Sequence, residues 1–585
     1  MRDPFRWLAW ALACASCASP AFADCKLERF AELPVTMAST RPLVAGSVNG
    51  NEALFIADSG AFFSTLTRDA AEKFKLRWEP LPPGINVYGV KGGDVDVRLG
   101  VSKDFTLVGL GNGAALHGVE FLVGGNSFAG GAAGVIGQNV IGRADTEYDL
   151  ANGVIRLIRS RDCGNGVLAY WAKDQAIGIV KIHDTTPAVP QLLGEALLNG
   201  AKIGIMFDTG ASYSMLSFRG ARRAGVKLDG PEVQAGGTSQ GLSAEDFQTW
   251  ISRFDTLDLG GETIKNARLR IADIDLPGGA DLLLGADFFL SHRIYVASSQ
   301  HRIFFTYNGG HVFDLRSTSA AAPDTAPAEP TDASGYQRRG AAYVGRREIA
   351  KGIADFDRAL QLDPTDPAIY SQRGLAHWQN GDAAQALSDF DQALQLKPDD
   401  VPVLVQRGSL RMQRNDPSGA RSDFDRAESL APNDATVSLE IAQVFAHNGH
   451  YSEALARYGV WIAAHPRDDR IGAALADRCW IRAVMGDAPD QALSDCNGAI
   501  RDGRRTARAY EGRALAWLRL KNFDHASADF RDSLKLEPKN AHTLYGLGIA
   551  EIKRGQQAAG ENDLQAALAL DVATADYYKR IGLAP

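Results

Sequence analysis

Two stretches, F55-I-A-D-S-G-A-F-F-S-T-L-T67 and I205-M-F-D-T-G-A-S-Y-S-M-L-S217, decide how the front half of this chain is read. Taken alone, Asp-Ser-Gly at 58–60 is what a tight turn prefers, because Asp bonds its own backbone and Gly accepts positive φ. The second stretch changes that reading. Shifted by 150 residues, the two share Asp, Gly, Ala, Ser and Leu, keep a hydroxyl after the Asp, and keep an aromatic at 63 and 213. Asn49-Gly50 recurs at Asn199-Gly200 with the same shift, and Asn-Gly is the strongest short hairpin signal. Each copy therefore reads as a hairpin, then a strand, then an Asp at the strand end.

The echo continues downstream. G134-V-I-G-Q-N-V-I141 follows Asp58 by 79 residues, counted to Gly137, and L282-L-L-G-A-D-F-F289 follows Asp208 by 77, counted to Gly285. β-patterned stretches come next in both copies, Y148-D-L-A-N-G-V-I-R-L157 and I294-Y-V-A-S-S-Q-H-R-I-F-F305. Between these landmarks lie two Gly-rich segments, V87-Y-G-V-K-G-G93 and A235-G-G-T-S-Q-G241.

Asp-Thr/Ser-Gly-Ala, a glycine-rich flap and apolar-apolar-Gly-x-Asn/Asp together resemble the retropepsin-like aspartic proteases, twice over between residues 30 and 310. The resemblance implies two all-β barrel lobes in one chain, 24–165 and 166–316. It implies that Asp58 and Asp208 form a catalytic dyad, that Ser59 and Thr209 bond across the lobes beneath it, and that Gly60 and Gly210 let the backbone approach. It further implies flaps over the substrate, with Tyr88, Gly89, Gly92 and Gly93 in one lobe and Gly236, Gly237 and Gly241 in the other. Two facing carboxylates cannot both ionise, so they share a proton and activate water. The chain departs from the family where an acid usually follows Asp-Thr-Gly-Ala and an arginine follows the later Gly. Phe62 and Ser212 replace the acid, and Gln138 and Ala286 replace the arginine. Both halves of that ion pair are lost in both lobes, which leaves no charge unpaired.

The back half has a different period. D355-F-D-R-A-L-Q-L-D-P364, D389-F-D-Q-A-L-Q-L-K-P398 and D423-F-D-R-A-E-S-L-A-P432 recur every 34 residues, with Gly340, Gly374 and Gly408 in step. This resembles the tetratricopeptide repeat, about seven copies over 336–582, and predicts an all-α solenoid with a concave binding face. A protein partner is expected in that groove. Arg339, Arg373 and Arg407 either line it and favour acidic partners or are solvated helical arginines. The Ala/Pro/Thr/Ser-rich stretch 317–335 reads as a linker between the halves.

The remaining signals bound location and chemistry. Residues 1–23 carry two arginines, a short apolar core and A21-F-A23, the pattern of a cleaved secretory signal peptide, so a periplasmic or secreted protein is expected. No later stretch is long and apolar enough to span a bilayer. Removing Cys14 and Cys17 leaves Cys25, Cys163, Cys479 and Cys496; in an oxidising compartment these favour disulfides, paired 25–163 and 479–496 by proximity within domains. The net charge of -8 offers nucleic acid no basic footprint. H-E-x-x-H, G-x-S-x-G and P-loop patterns are absent, so no metal or cofactor is expected. The reading is an exported aspartic endopeptidase acting on protein or peptide substrates. The alternatives are a catalytically inactive peptide-binding scaffold, or a protein with one active Asp that works as a homodimer.

Overall fold

A computed structural model describes residues 25–81, 97–313 and 329–585, apart from 112–114, 125–127, 129–130, 174, 184–190, 229, 241–245, 310–311, 433, 467, 469, 487 and 502–505. The expected signal peptide, most of the linker, the first flap (Tyr88, Gly89, Gly92, Gly93) and Gly241 lie outside the described residues.

The two front lobes repeat one plan. Strands Arg41–Val48 and Asn51–Ala57 form a hairpin across Asn49-Gly50, and Leu193–Leu198 and Ala201–Phe207 form its counterpart across Asn199-Gly200. Both central residues of each turn have positive φ, 50° and 80° in the first and 49° and 77° in the second, as a two-residue type I′ hairpin requires. The asparagine also carries a second load. Asn49 Oδ1 accepts from the N–H groups of Lys103 (2.8 Å) and Asp104 (3.1 Å), while its Nδ2 donates to the Phe74 carbonyl. Asn199 does the same with Asp255, Thr256 and Ala224. Each turn therefore ties a hairpin to the rest of its barrel.

The strand that leads into each Asp lies parallel to the apolar run of the later motif. Phe55–Ala57 pairs with Gly134–Ile136, and Ile205–Phe207 with Leu282–Leu284. Parallel strands covered on both faces need unbroken apolar runs, which explains Val-Ile and Leu-Leu at these positions. The following glycines are forced by contact. A Cβ on Gly137 would stand 2.7 Å from the Ala61 carbonyl oxygen, and one on Gly285 would stand 2.6 Å from the Tyr213 carbonyl carbon.

A six-stranded antiparallel layer joins the lobes, in the order Gly178–Lys181, Arg302–Tyr307, His292–Ala297, Asp145–Asp149, Val154–Arg161, Lys26–Ala38. Its central pair takes one strand from each lobe, with Glu147 opposite Tyr295. The fully buried Glu147 is held by Arg156 of its own lobe (2.6 Å), Arg293 of the other (2.7 Å) and the Tyr170 hydroxyl (2.5 Å). A buried carboxylate is tolerated only when paired and hydrogen-bonded, so this network pins the register between lobes.

The back half is a stack of antiparallel helix pairs. It starts at Ala333–Gly345 with Ile349–Leu362, ends at Ala541–Lys553 with Gln557–Leu570, and is closed by Thr574–Arg580. The first helix begins inside the stretch whose composition reads as linker, because the Asp332 carboxylate caps it through the Gly335 N–H. The periodic glycines seat aromatic rings: a Cβ on Gly340, Gly374 or Gly408 would meet Phe356, Phe390 or Phe424 at 3.0, 2.8 and 2.5 Å. The arginines of the repeats are spoken for. Arg339, Arg373 and Arg407 form bidentate bonds to Asp355, Asp389 and Asp423 in the next helix. Their third nitrogen reaches back to Glu329, Asp357 and Asp391. They are structural ion pairs rather than bait for acidic partners. Cys479 bonds Cys496 within one helix pair, and Cys25 bonds Cys163 across the ends of the first lobe.

Array and lobes share a core. Tyr336, Ala341, Ala342, Phe356 and Leu360 belong to the same buried cluster as Leu33, Val35, Tyr148 and Leu290. The first repeat packs on strand Lys26–Ala38 and on the turn at Leu150–Asn152.

Candidate active site

Asp58 and Asp208 sit where the two parallel strand pairs end, each partly open to solvent. Asp58 Oδ1 accepts from the N–H groups of Gly60 and Ala61 (both 2.8 Å), and Asp208 Oδ1 accepts from Gly210 (2.9 Å) and Ala211 (3.2 Å). Each carboxylate is thus aimed by its own turn. The tight turn suggested by Asp-Ser-Gly does exist, and here it serves to orient an acid. The space between the loops admits no side chain: a Cβ on Gly60 would fall 2.4 Å from Asp208 Cγ, and one on Gly210 would fall 2.1 Å from Asp58 Oδ2.

Beneath the pair, the two hydroxyls cross. Ser59 N–H donates to Thr209 Oγ1 (2.9 Å) while Thr209 N–H donates to Ser59 Oγ (3.0 Å). Each hydroxyl then donates onward across the interface, Thr209 to the Ala57 carbonyl (2.7 Å) and Ser59 to that of Phe207 (3.2 Å). Both residues are fully buried, and both hydroxyls and both N–H groups are satisfied where an orphan would be expensive.

Electrostatics follow from this enclosure. Burial, then the Asp58 charge and its hydrogen bond, push Asp208 well above the usual carboxylate range; the Gly210 and Ala211 N–H groups oppose them. Tyr148, fully buried under the site, is also pushed up, by burial first and then by Asp58.

Several groups in the site were not legible in the chain. Arg41, largely enclosed, reaches from the first lobe to Ser212 Oγ of the second (3.2 Å), and burial lowers its pKa while Asp58 opposes the shift. Nothing marks a single arginine at a strand start as part of a site. Gln138, standing where the family has arginine, donates from Nε2 to the Ser59 carbonyl (2.7 Å) and braces the loop without a charge. Asn139 and Asp287 have matching jobs: Asn139 Oδ1 accepts from Ser64 N–H and Oγ (2.7 Å each), and Asp287 accepts from Ser214 N–H (2.9 Å) and Oγ (2.7 Å). The Gly-x-Asn/Asp pattern located these two residues but did not disclose their partners.

Of the second flap, Gly236 and Gly237 lie in strand Gln234–Gln240, at a bulge opposite Thr249 and Trp250. Gly237 has φ of 78°. Arg270 holds the Gly236 carbonyl, and Thr249 Oγ1 donates to the Gly237 carbonyl at 2.8 Å. These two glycines shape a braced bulge rather than a slack hinge. No cluster of three or more His, Cys, Asp or Glu suited to a metal occurs among the described residues.

Residues 44–142 and 195–288 both match the Aspartyl protease family, one match per lobe, and residues 340–405, 376–439 and 411–477 match Tetratricopeptide repeat families. The chain joins an aspartyl protease domain to a tetratricopeptide array. Among solved structures, a tetratricopeptide repeat protein from Parabacteroides merdae is 20% identical, covering 40% of this chain and 87% of its own, with a TM-score of 0.30. PilW, a type IV pilus biogenesis factor, is 15% identical over 37% of this chain and 97% of its own, TM-score 0.32. Yeast Tom70 is 17% identical over 43% and 53%, TM-score 0.30. No curated protein matches the chain. In the aspartyl protease domain, both family matches contain their Asp, and the array matches begin after the described end of the second lobe.

Proposed function

We propose that the protein is an exported aspartic endopeptidase that cleaves peptide bonds with the Asp58–Asp208 pair. The observation that carries this reading is the pairing of the two carboxyls: each is aimed by two backbone N–H groups, and burial, then Asp58, raises Asp208 well above its ordinary range. A pair that shares one proton has both parts of the chemistry. The ionised member takes a proton from water as oxygen attacks the peptide carbonyl; the protonated member donates to the developing oxyanion, and a proton then passes to the leaving amine. The titration belongs to the pair. Because Asp208 finds its partner within the chain, a second copy is not needed to complete the pair.

Substrate lies extended between the lobes and adds a strand beside the flap Gln234–Gln240. The array holds a protein segment in its groove. Export rests on the two disulfides and the N-terminal pattern; no helix among the described residues is long and apolar enough to cross a membrane. The test is a peptide-library digest read by mass spectrometry, with and without pepstatin, between pH 4 and 8, a range spanning about the carboxylate reference values and neutrality. Asp58→Asn and Asp208→Asn should each abolish cutting while the protein stays folded, with Asp208→Asn melting no lower than the parent at neutral pH because the raised Asp208 carboxyl is removed. No cuts by the parent protein would favour an inactive peptide-binding scaffold; full activity of either variant would exclude the shared-proton mechanism.

A further inference from the structure

The turn between the first two array helices meets the catalytic loop of the second lobe. Gly345, Arg346 and Arg347 line a small open recess, with about 20 Å³ of room for the centres of water-sized groups, together with Thr40, Tyr213 and Asp287. Tyr213 stands five residues beyond Asp208, on the same loop, and Thr40 precedes Arg41, whose guanidinium bonds the neighbouring Ser212. The recess therefore borders the Tyr213 loop of the second lobe and Thr40 of the first, with one wall supplied by the array.

Its charge is lopsided. Arg346 is 7% exposed, yet its Nε has no hydrogen-bond acceptor and its Nη2 has only an ion-pair contact with Glu348, at 2.5 Å. Arg347 is exposed, is held at φ of 60°, and its guanidinium has no hydrogen-bond or ion-pair partner among the described residues. Arg270 lies over the Tyr213 ring at 5.9 Å, and its Nε also lacks an acceptor. Burial depresses the Arg270 pKa; Tyr213 opposes it, and Arg347 adds a smaller push in the same direction as burial. The one carboxylate in the recess wall, Asp287, has both oxygens turned to Ser214. Glu348 answers only Arg346 Nη2, so among the described residues the Nε atoms of Arg346 and Arg270 stay buried without acceptors, which is rare in native proteins, and Arg347 adds an unpaired cation beside them.

We propose that this recess is an anion subsite of the cleft, built jointly by the array turn Gly345–Arg347 and the Tyr213 loop, which takes a carboxylate of the bound chain. That carboxylate is an acidic side chain or the chain's own C-terminus, a few residues from the bond over the dyad. The proposal rests on the endopeptidase reading for what occupies the cleft and adds the substrate class. The array then contributes to specificity directly, through two arginines placed within the site.

The test uses full-length Asp208→Asn protein and fluorescein-labelled octapeptides in which Glu is exchanged for Gln at each position in turn, with the C-terminus free or amidated. At one position, or at the free terminus, the charged form should bind on the order of tenfold tighter, the size of one charge-assisted hydrogen bond to a partly buried arginine. In Arg346→Met and in Arg347→Gln, each combined with Asp208→Asn, that preference should fall to within about twofold, while binding of the uncharged peptides stays level. Arg347 is exposed, so its variant keeps the test valid if Arg346→Met fails to fold. No preference at any position, or a preference unchanged by Arg347→Gln, overturns the subsite. The library digest of the parent separates the two readings. Cutting without charge preference defeats the subsite alone, and charge preference without cutting defeats the endopeptidase alone.

Discussion

Replacing Asp287 by Asn should make the protein more stable at neutral pH and hardly change it in acid. The first lobe already carries this amide: Asn139 accepts the same two bonds from Ser64 that Asp287 accepts from Ser214. The amide can therefore replace the carboxyl without orphaning Ser214. Burial raises the Asp287 pKa from 3.8 to about 6, against the bonds from Ser214 and the backbone. A carboxyl whose folded pKa is raised contributes stability below its unfolded value and loses it as pH climbs through the folded value, because the unfolded chain ionises more easily. At pH well above 6 the full shift, about two units at 1.36 kcal/mol each, costs about 3 kcal/mol. At pH 4.5 the cost is about 1 kcal/mol by the same linkage relation. Asn pays neither. The advantage of Asp287→Asn should therefore grow by about 2 kcal/mol between pH 4.5 and 7.5, and by less where residual exposure of Asp287 lets water screen the charge. Scanning calorimetry of the full-length parent and variant at both pH values reads this directly. The array transition, where resolved, should not move and serves as an internal control. An advantage that is the same at both pH values, or a variant less stable at pH 7.5, refutes the reasoning.

The other expectations concern the dyad and its surroundings. Gly60→Ala or Gly210→Ala would place a methyl within 2.4 Å of the opposite carboxyl; either should abolish cutting in the digest and lower the melting temperature, and an active, stable variant would show that the loops can part. Thr209→Val keeps the shape but removes the acceptor for Ser59 N–H and the donor to the Ala57 carbonyl; it should destabilise the lobes by about 1–3 kcal/mol, the penalty for orphaned buried groups, measured by denaturant unfolding. Asp287 also bears on the anion subsite. As it protonates below about 6, the recess loses its own negative charge, so the affinity for a Glu-bearing octapeptide should rise between pH 7 and 5.5 in Asp208→Asn and stay level when Asp287→Asn is added. A rise of equal size in both would place the titration elsewhere.

The fold was legible because it is written twice. The 150-residue shift from Asp58 to Asp208 and from Asn49 to Asn199 turned a common tripeptide into a pair of matching loops, and the same positions hold matching hydrogen bonds in space. The 34-residue step of the array was as plain. What escaped were groups with no counterpart in the other copy. Arg41, bonded to Ser212, and Arg346, which lines a recess with Tyr213, gain their surroundings from chain 171 residues and more than a hundred residues away. No local pattern signals such a contact. The array arginines went astray for a related reason. Periodicity shows that Arg339, Arg373 and Arg407 recur, but their partners Asp355, Asp389 and Asp423 recur in the same step, so repetition alone cannot separate a binding stripe from a ladder of internal pairs.

The shared core changes what the array can be doing. A module on a flexible linker raises the effective concentration of whatever it holds, and linker length sets the gain. Here the linker ends where Asp332 caps the first helix, and that helix buries Tyr336, Ala341 and Ala342 against the same cluster as Val35, Tyr148 and Leu290. Tyr148 lies beneath the dyad, and Leu290 belongs to the helix Ala286–Ser291 that follows the second Gly motif. The first repeat therefore stands on the elements that support both Asp loops, and its turn borders the recess beside one of them. Farther along, Asp434, Asp468 and Arg470 come near enough to Asp69, in the short helix of the first lobe, to act on its charge, so a second part of the array also lies near the first lobe. Under the proposed function, a chain held by the array would meet the Asp58–Asp208 pair in a fixed orientation rather than on a loose tether, and removing the array should disturb the lobes themselves as well as the supply of substrate.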